Sequence, residues 1–195
     1  MNYFTIEHSK LAYRADFALY GFALVALATF LVMAVPRQQA WEIVAFATLG
    51  LVSWTLIEYA LHRFVLHHLQ PFSTWHAEHH RRPTALICTP TILSAALIAV
   101  LVFLPALMLG NLWRASALTF GLLVGYLAYA ITHHAIHHWH ADYAWLKRRK
   151  RWHALHHGSI EPASRYGVTS AFWDQVFGSA QRLQAPWRRT HQPPR

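Results

Sequence analysis

Apolar residues fall in four long blocks, 15–35, 41–61, 86–109 and 112–132, separated by short polar breaks. Each block is long enough for an α-helix to cross a hydrocarbon core of roughly 30 Å. The first is longer than the roughly 7–15 apolar residues of a cleavable signal peptide, so it reads as a retained span. Pro36-Arg37 with two glutamines and Gly110-Asn111 form the tight breaks,. Pro90 and Pro105 lie near the ends of the third block, where a membrane helix tolerates them,. Gly121 and Gly125 make a small-residue pair in the fourth, a signal for close helix packing inside a bundle,. The pattern predicts an all-α, four-transmembrane-helix integral membrane protein. It forms a single domain over 1–183, and the Pro-, Arg- and Gln-rich 184–195 forms a loose tail.

The 195 residues are 55% hydrophobic yet carry a formal charge of +9. A basic nucleic-acid binder has no need of four such apolar blocks, so charge of this kind belongs to an aqueous face beside a membrane. All but Arg37 and Arg114 of the 17 Lys and Arg lie in the N-terminus, the 62–85 segment or the region after the fourth block. The positive-inside rule puts both termini and the segments after the second and fourth spans in the cytoplasm. Trp41 and Trp113 then mark the far interface, and Trp75, Trp139, Trp145 and Trp152 the near one. The membrane is either a bacterial cytoplasmic membrane or the endoplasmic reticulum.

A lone cysteine, Cys88, rules out an intrachain disulfide and a thiolate metal site,. The eight carboxylates include no Glu-x-x-His pair, which argues against a carboxylate-bridged di-iron bundle,. Nitrogen is left as the donor. All but His8 and His191 of the 16 histidines sit in four clusters, each following an apolar block, on the same predicted side. His76, His79 and His80 share a helix face, as do His153, His156 and His157. His133 and His137 stack one turn apart, and His134 and His138 repeat that spacing one residue later. His62 and His67 are five apart and need a helix end or a neighbouring element to converge. With one of the two overlapping pairs counted, ten imidazoles exceed what one ion takes, so two metals follow if most of these residues ligate, and nitrogen alone leaves Fe, Zn, Cu and Ni open. A structural zinc site needs only about four ligands. A metal transporter needs ionisable groups deep in its spans, and only Glu58 comes near that. Lys147 to Arg151 form a basic run that suits either an acidic redox partner or anionic lipid headgroups.

Glu58-Tyr-Ala-Leu-His62-Arg-Phe-Val-Leu-His67, His76-x-x-His79-His80, Thr132-His133-x-x-x-His137 and His153-x-x-His156-His157 resemble the fatty acid hydroxylase / sterol desaturase superfamily. Tyr166-Gly-Val-Thr-Ser-Ala-Phe-Trp173-Asp174-Gln-Val-Phe-Gly178 resembles the stretch after the last histidine box of fatty acid 2-hydroxylases. The likeness covers roughly residues 50–180. It implies a four-helix membrane enzyme with a histidine-rich cytosolic helical cap over two Fe ions, which Zn can replace in purified protein. The implied reaction is an O2-dependent hydroxylation of an unactivated C–H of a lipid, a fatty acyl chain first, with sterol or carotenoid oxidation as the alternative. The implied ligands are His62, His67, His76, His79, His80, His133, His137, His153, His156 and His157, with His134 and His138 as alternates to the third pair. Glu58 and Asp174 are candidates to orient a ligand ring through its other nitrogen. His8, His68, His140 and His191 are expected to be peripheral. The sequence departs from the larger 2-hydroxylases in having eight residues between His67 and His76 and no His-Pro-Gly-Gly haem segment. An external electron donor, cytochrome b5-like or ferredoxin-type, is therefore implied.

Overall fold

A computed structural model describes residues 7–140, 143–158 and 163–180; the expected tail 184–195, with His191, lies outside them. Helix α1 spans Lys10–Ala34, α2 Arg37–Leu66, α4 Thr91–Leu109 and α5 Leu112–His138, and these four are long and apolar enough to cross a membrane. Between and after them lie the shorter α3 (Phe72–Arg81), α6 (Ala144–His157) and α7 (Phe172–Val176). The only strand-like pairing among the described residues is an isolated bridge, Glu7 to Ile87. The chain is a multi-pass membrane protein of helical hairpins.

Burial runs opposite to that of a soluble bundle. Large apolar side chains face outward along the spans, with Met108 85% and Leu109 90% exposed, as a lipid-facing surface requires,. The interior is lined by small residues on α5, namely Ala115, Ser116, Ala117, Gly121 and Gly125. A Cβ at Gly121 would lie 1.8 Å from the Ala47 carbonyl oxygen, and one at Gly125 2.5 Å from the Trp54 ring. The glycine pair thus lets α5 press against α2 within the chain, as expected. At the far end, Arg114 bonds Glu42 at 2.8 Å and ties the starts of α5 and α2. Helix starts follow their local chemistry: Ser9 Oγ accepts from Ala12 N, and Asn111 Oδ1 from Arg114 N,.

The helix ends differ from the pattern-based edges where chemistry intervenes. Span α1 begins at Lys10 rather than 15, because Ser9 caps it. The third begins at Thr91 rather than 86: Pro90 precedes the first turn, and Ile87 is held extended against Glu7,. Helices α2 and α5 continue past the apolar blocks to Leu66 and His138, which lifts their histidines beyond the hydrophobic zone on helical rails. The last six residues of α2, Leu61–Leu66, wind as a π-helix.

Candidate metal centre

Four elements deliver the histidines to one place: the end of α2 (His62, His67), α3 (His76, His79, His80), the end of α5 (His133, His137) and α6 (His153, His156, His157). On an α-helix residues five apart point about 140° away from each other. The π turn at Leu61–Leu66, with its i→i+5 bonding, removes that divergence, and the His62 and His67 rings stack with centroids 5.4 Å apart,.

The rings sort into two groups of donor atoms, each within 4.8 Å of one another. One is His62, His67, His76, His80 and His156; the other is His79, His133, His137 and His153. Helix α3 contributes to both, because His76 and His80 share one face and meet edge to face, while His79 turns aside to His133 and His137, with centroids 4.7 and 4.8 Å away. His157 joins the groups: its ring lies flat on His80 at 4.1 Å, and its Nε2 is 3.0 Å from that of His153. All ten residues of the expected set therefore meet. His134 and His138 do not. His134 Nδ1 contacts the Tyr13 hydroxyl at 3.2 Å and its ring stacks on His138, away from the cluster. His68 and His140 are exposed, while His8 lies half-buried with its Nδ1 3.4 Å from Cys88 Sγ.

Ring orientation comes from a loop rather than from carboxylates. His62 Nδ1 meets the Tyr166 carbonyl at 2.5 Å and His156 Nδ1 the Ser164 carbonyl at 2.7 Å, leaving each Nε2 toward the cluster. Glu58 and Asp174, considered as direct partners of ligand rings, act one step further back. Glu58 accepts from Val168 N, Thr169 N and Thr169 Oγ1; Asp174 accepts from Tyr166 N, Gly167 N and Ser179 Oγ. Both are buried, and both clamp the loop that carries the two carbonyls. A Cβ at Gly167 would come within 1.9 Å of the Ser170 carbonyl oxygen, so the loop closes tightly only with glycine there.

The donor set suits a metal. Burial and neighbouring rings push His67 down to about 4 and His79 to about 2; His80 falls to about 3. His156 also lies at about 3, although the Ser164 carbonyl pulls it back upward. Burial holds His76 and His153 well below the ordinary histidine value. Imidazoles kept neutral are imidazoles in the metal-binding form. Contacts between Nε2 atoms of 3.0–3.2 Å link His62, His76 and His80, and His67 with His156. Both nitrogens of His79 are buried with no hydrogen-bond partner. Rings crowded nitrogen to nitrogen, with both nitrogens of His79 unpaired, form two groups that could hold metal ions,.

Beneath the cluster lies a cavity of about 250 Å³, walled by α1, α2, α4 and α5 and reaching His62, His76, His79 and His133. Its sides are Phe17, Trp54, Leu61, Leu97, Ile98 and Tyr129, apolar enough for a hydrocarbon chain. Asp16 also lines it. The polar reading of the spans, with Glu58 as the only deep ionisable group, overlooked this residue: a single carboxylate in the first turns of a span looks like part of its polar flank. The basic run on α6 is likewise not uniform. Lys147, Arg148 and Arg151 are exposed, whereas Arg149 is 6% exposed and lies over the Trp152 ring.

Residues 47–179 match the family model described as fatty acid hydroxylase. The dihydroceramide fatty acyl 2-hydroxylase FAH2 of Arabidopsis thaliana is 36% identical over 163 residues, 78% of this chain and 66% of that protein. The ceramide very long chain fatty acid hydroxylase scs7 of Schizosaccharomyces pombe is 32% identical over 70% of this chain and 42% of its own length. The chain thus spans just under two thirds of the plant protein and well under half of the fungal one. Among solved structures, full-length scs7p, with only its hydroxylase domain visible, superposes with a TM-score of 0.74 at 27% identity. That match covers 90% of this chain and 69% of the other.

Proposed function

The chain belongs to the fatty acid hydroxylase family, and on that premise we propose that it hydroxylates an unactivated C–H bond of a membrane lipid, on a fatty acyl chain. The observation that carries this reading is the continuity of the apolar cavity with His62, His76, His79 and His133. A lipid chain lying in it brings a methylene to the histidine cluster without leaving an apolar surround.

His62, His67, His76, His80 and His156 would hold one iron, and His79, His133, His137 and His153 the other, with His157 between them. Two ferrous ions there would supply the O2 activation that no side chain can provide. The protein's own residues do the rest. Glu58 and Asp174 fix the 166–169 loop, whose carbonyls and that of Ser164 set the ring tilt of His62 and His156. Phe17, Leu61, Leu97 and Ile98 exclude water from the chain and align it. Electrons come from an external donor, cytochrome b5-like or ferredoxin-type, for which the exposed Lys147, Arg148 and Arg151 offer a docking charge. Both termini and the histidine cap face the cytoplasm, by the distribution of Lys and Arg, and residues 1–183 act as one domain.

The test is lipid mass spectrometry on cells expressing the wild type or His153→Ala, with metal analysis of both purified proteins. A lipid gaining one oxygen in wild-type cells only, with about two metals per chain in the wild type, is the expected result. Loss of two hydrogens would redirect the reading to desaturation. Identical lipid profiles with a single exchangeable ion would sink it in favour of a metal-transport protein.

A further inference from the structure

Among the described residues seven buried side-chain nitrogen or oxygen atoms have no hydrogen-bond partner, and three of them gather at one indole in the cap: Arg149 Nη1, Trp152 Nε1 and Arg165 Nε. The Arg149 Cζ lies 5.9 Å and the Arg165 Cζ 5.7 Å from the centre of the Trp152 ring. All three atoms are N–H donors, and two belong to cations. Buried donors are ordinarily paired, and a buried cation left without an acceptor is costlier still. What the place lacks is an acceptor that carries negative charge.

The described acids do not fill that role. Ion pairs among the described residues involve only Glu7, Glu42 and Glu78. Asp174 and Glu58 attract Arg149 from a distance, yet burial, and then Arg148, hold its guanidinium below the ordinary arginine value. Their oxygens accept instead from the 166–169 backbone and from the hydroxyls of Thr169 and Ser179. Arg165 donates through Nη1 to Ser164 Oγ at 3.0 Å, and its backbone stands in the left-handed region at φ 63°, which a residue with a Cβ adopts against its preference,. It reaches the indole from the 164–166 segment, while Arg149 and Trp152 come from α6, three residues apart on one side of the helix. Arg149 is 6% exposed, but Trp152 and Arg165 are half-buried, so a small group can reach the place past them.

We propose that Arg149, Trp152 and Arg165 bind a terminal phosphate group, and that its binding braces the 164–166 segment. Such a group brings three or more free oxygens and more than one charge to donors arriving from two elements, and guanidinium is the side chain that matches it best. Two sources carry it. His153, next to Trp152 in the chain, meets His137 in the last turns of α5 at 3.0 Å, which sets the site at the end of the spans, where lipid headgroups lie; inorganic phosphate reaches the same place from solution. The consequence lies in the neighbours of Arg165. Ser164 and Tyr166 carry the carbonyls that meet His156 Nδ1 and His62 Nδ1, so a phosphate held by the residue between them steadies the stretch that orients both rings. None of the three residues lines the cavity beneath the histidines, and the site stands whether or not the chain oxidises a lipid.

The test titrates the purified full chain, in a maltoside detergent free of phosphorus, with inorganic phosphate, with sodium chloride at matched ionic strength, and with short-chain phosphatidic acid against short-chain phosphatidylcholine. The thermal midpoint and backbone amide exchange over 164–169 are read together. Phosphate or phosphatidic acid is expected to raise the midpoint and slow the exchange, and chloride and phosphatidylcholine to do neither. Arg165→Gln should raise the half-saturating concentration about tenfold or more, and Trp152→Phe, which keeps a ring but loses its N–H, about threefold or more. Phosphatidic acid acting below the concentration of inorganic phosphate assigns the site to a headgroup; equal or weaker action assigns it to the free ion. The same shift in every salt, or half-saturation unchanged in both variants, overturns the site. So does a wild type that answers neither probe, unless it retains phosphorus that Arg165→Gln lacks, which counts for a headgroup already seated. Stabilisation with no slowing over 164–169 overturns the bracing. If Arg165→Gln does not fold, Trp152→Phe decides alone.

Discussion

Glu58 accepts three hydrogen bonds from Val168 and Thr169 in a buried setting, so its loss strands three donors at once. Each stranded donor costs about 1–3 kcal/mol. Glu58→Ala is expected to lower stability by at least about 2 kcal/mol and, by releasing the Tyr166 carbonyl from His62, to reduce metal retention. Thermal unfolding together with metal per chain checks both parts; a fall in stability with full metal content would show that the loop does not steer the ring. The histidines themselves set a pH dependence in the metal-free protein. Burial lowers the folded values of His67, His80 and His156 to about 4, 3 and 3, against about 6.5 when unfolded,. Between those limits the unfolded chain binds more protons than the folded one, so stability is full above about pH 6.5 and declines as pH falls toward about 4 and below. Melting curves of chelator-treated protein across that range should show a steady loss on the acid side; a flat midpoint would mean the rings are not buried neutral.

Among the elements, the contact of α2 with α5 depends most sharply on single residues. Gly121→Ala puts a Cβ 1.8 Å from a backbone oxygen, and backbone cannot rotate away as a side chain can. The helices must part, at a cost of about 1–3 kcal/mol or more, and both carry histidines to the cluster. Gly21→Ala, with nothing within 4 Å of its added Cβ, is the matched control and should be neutral or slightly stabilising,. Comparing melting temperatures of the two variants in the same detergent decides the point: equal behaviour would mean the close approach is not maintained in the folded protein. The π turn at the end of α2 has no comparable sequence signal. Periodicity shows that His62 and His67 diverge on an α-helix, but the choice of π winding is made by the rings and the packing they join.

For the molecule as a whole, the proposal of a cytoplasmic cap rests on charge, and labelling can test it directly. In a Cys88→Ser background, Gln38→Cys in the first turn of α2 and Arg148→Cys on α6 should report opposite sides. A membrane-impermeant thiol reagent added to intact cells is expected to label the first, and the second only after permeabilisation. Labelling of the Arg148 position from outside would invert the topology and remove the cytoplasmic redox partner from the scheme.

Four spans, their hairpin order and the emergence of the histidines on one side were legible in the sequence, because each follows from runs of apolar residues and their parity. So was the common face of His76, His79 and His80, since local periodicity fixes direction within one helix. Which ring joins which group was decided only by tertiary packing: His79 parts from His76 and His80 because α5 and α6 stand beside α3. The same holds for Tyr166 and Ser164, whose carbonyls reach rings on other elements, for Glu58 holding a loop more than 100 residues away, and for Asp16 facing the cavity rather than lipid. A chain encodes locally where a side chain points around its own helix; what that side chain meets depends on the neighbour that folding brings there.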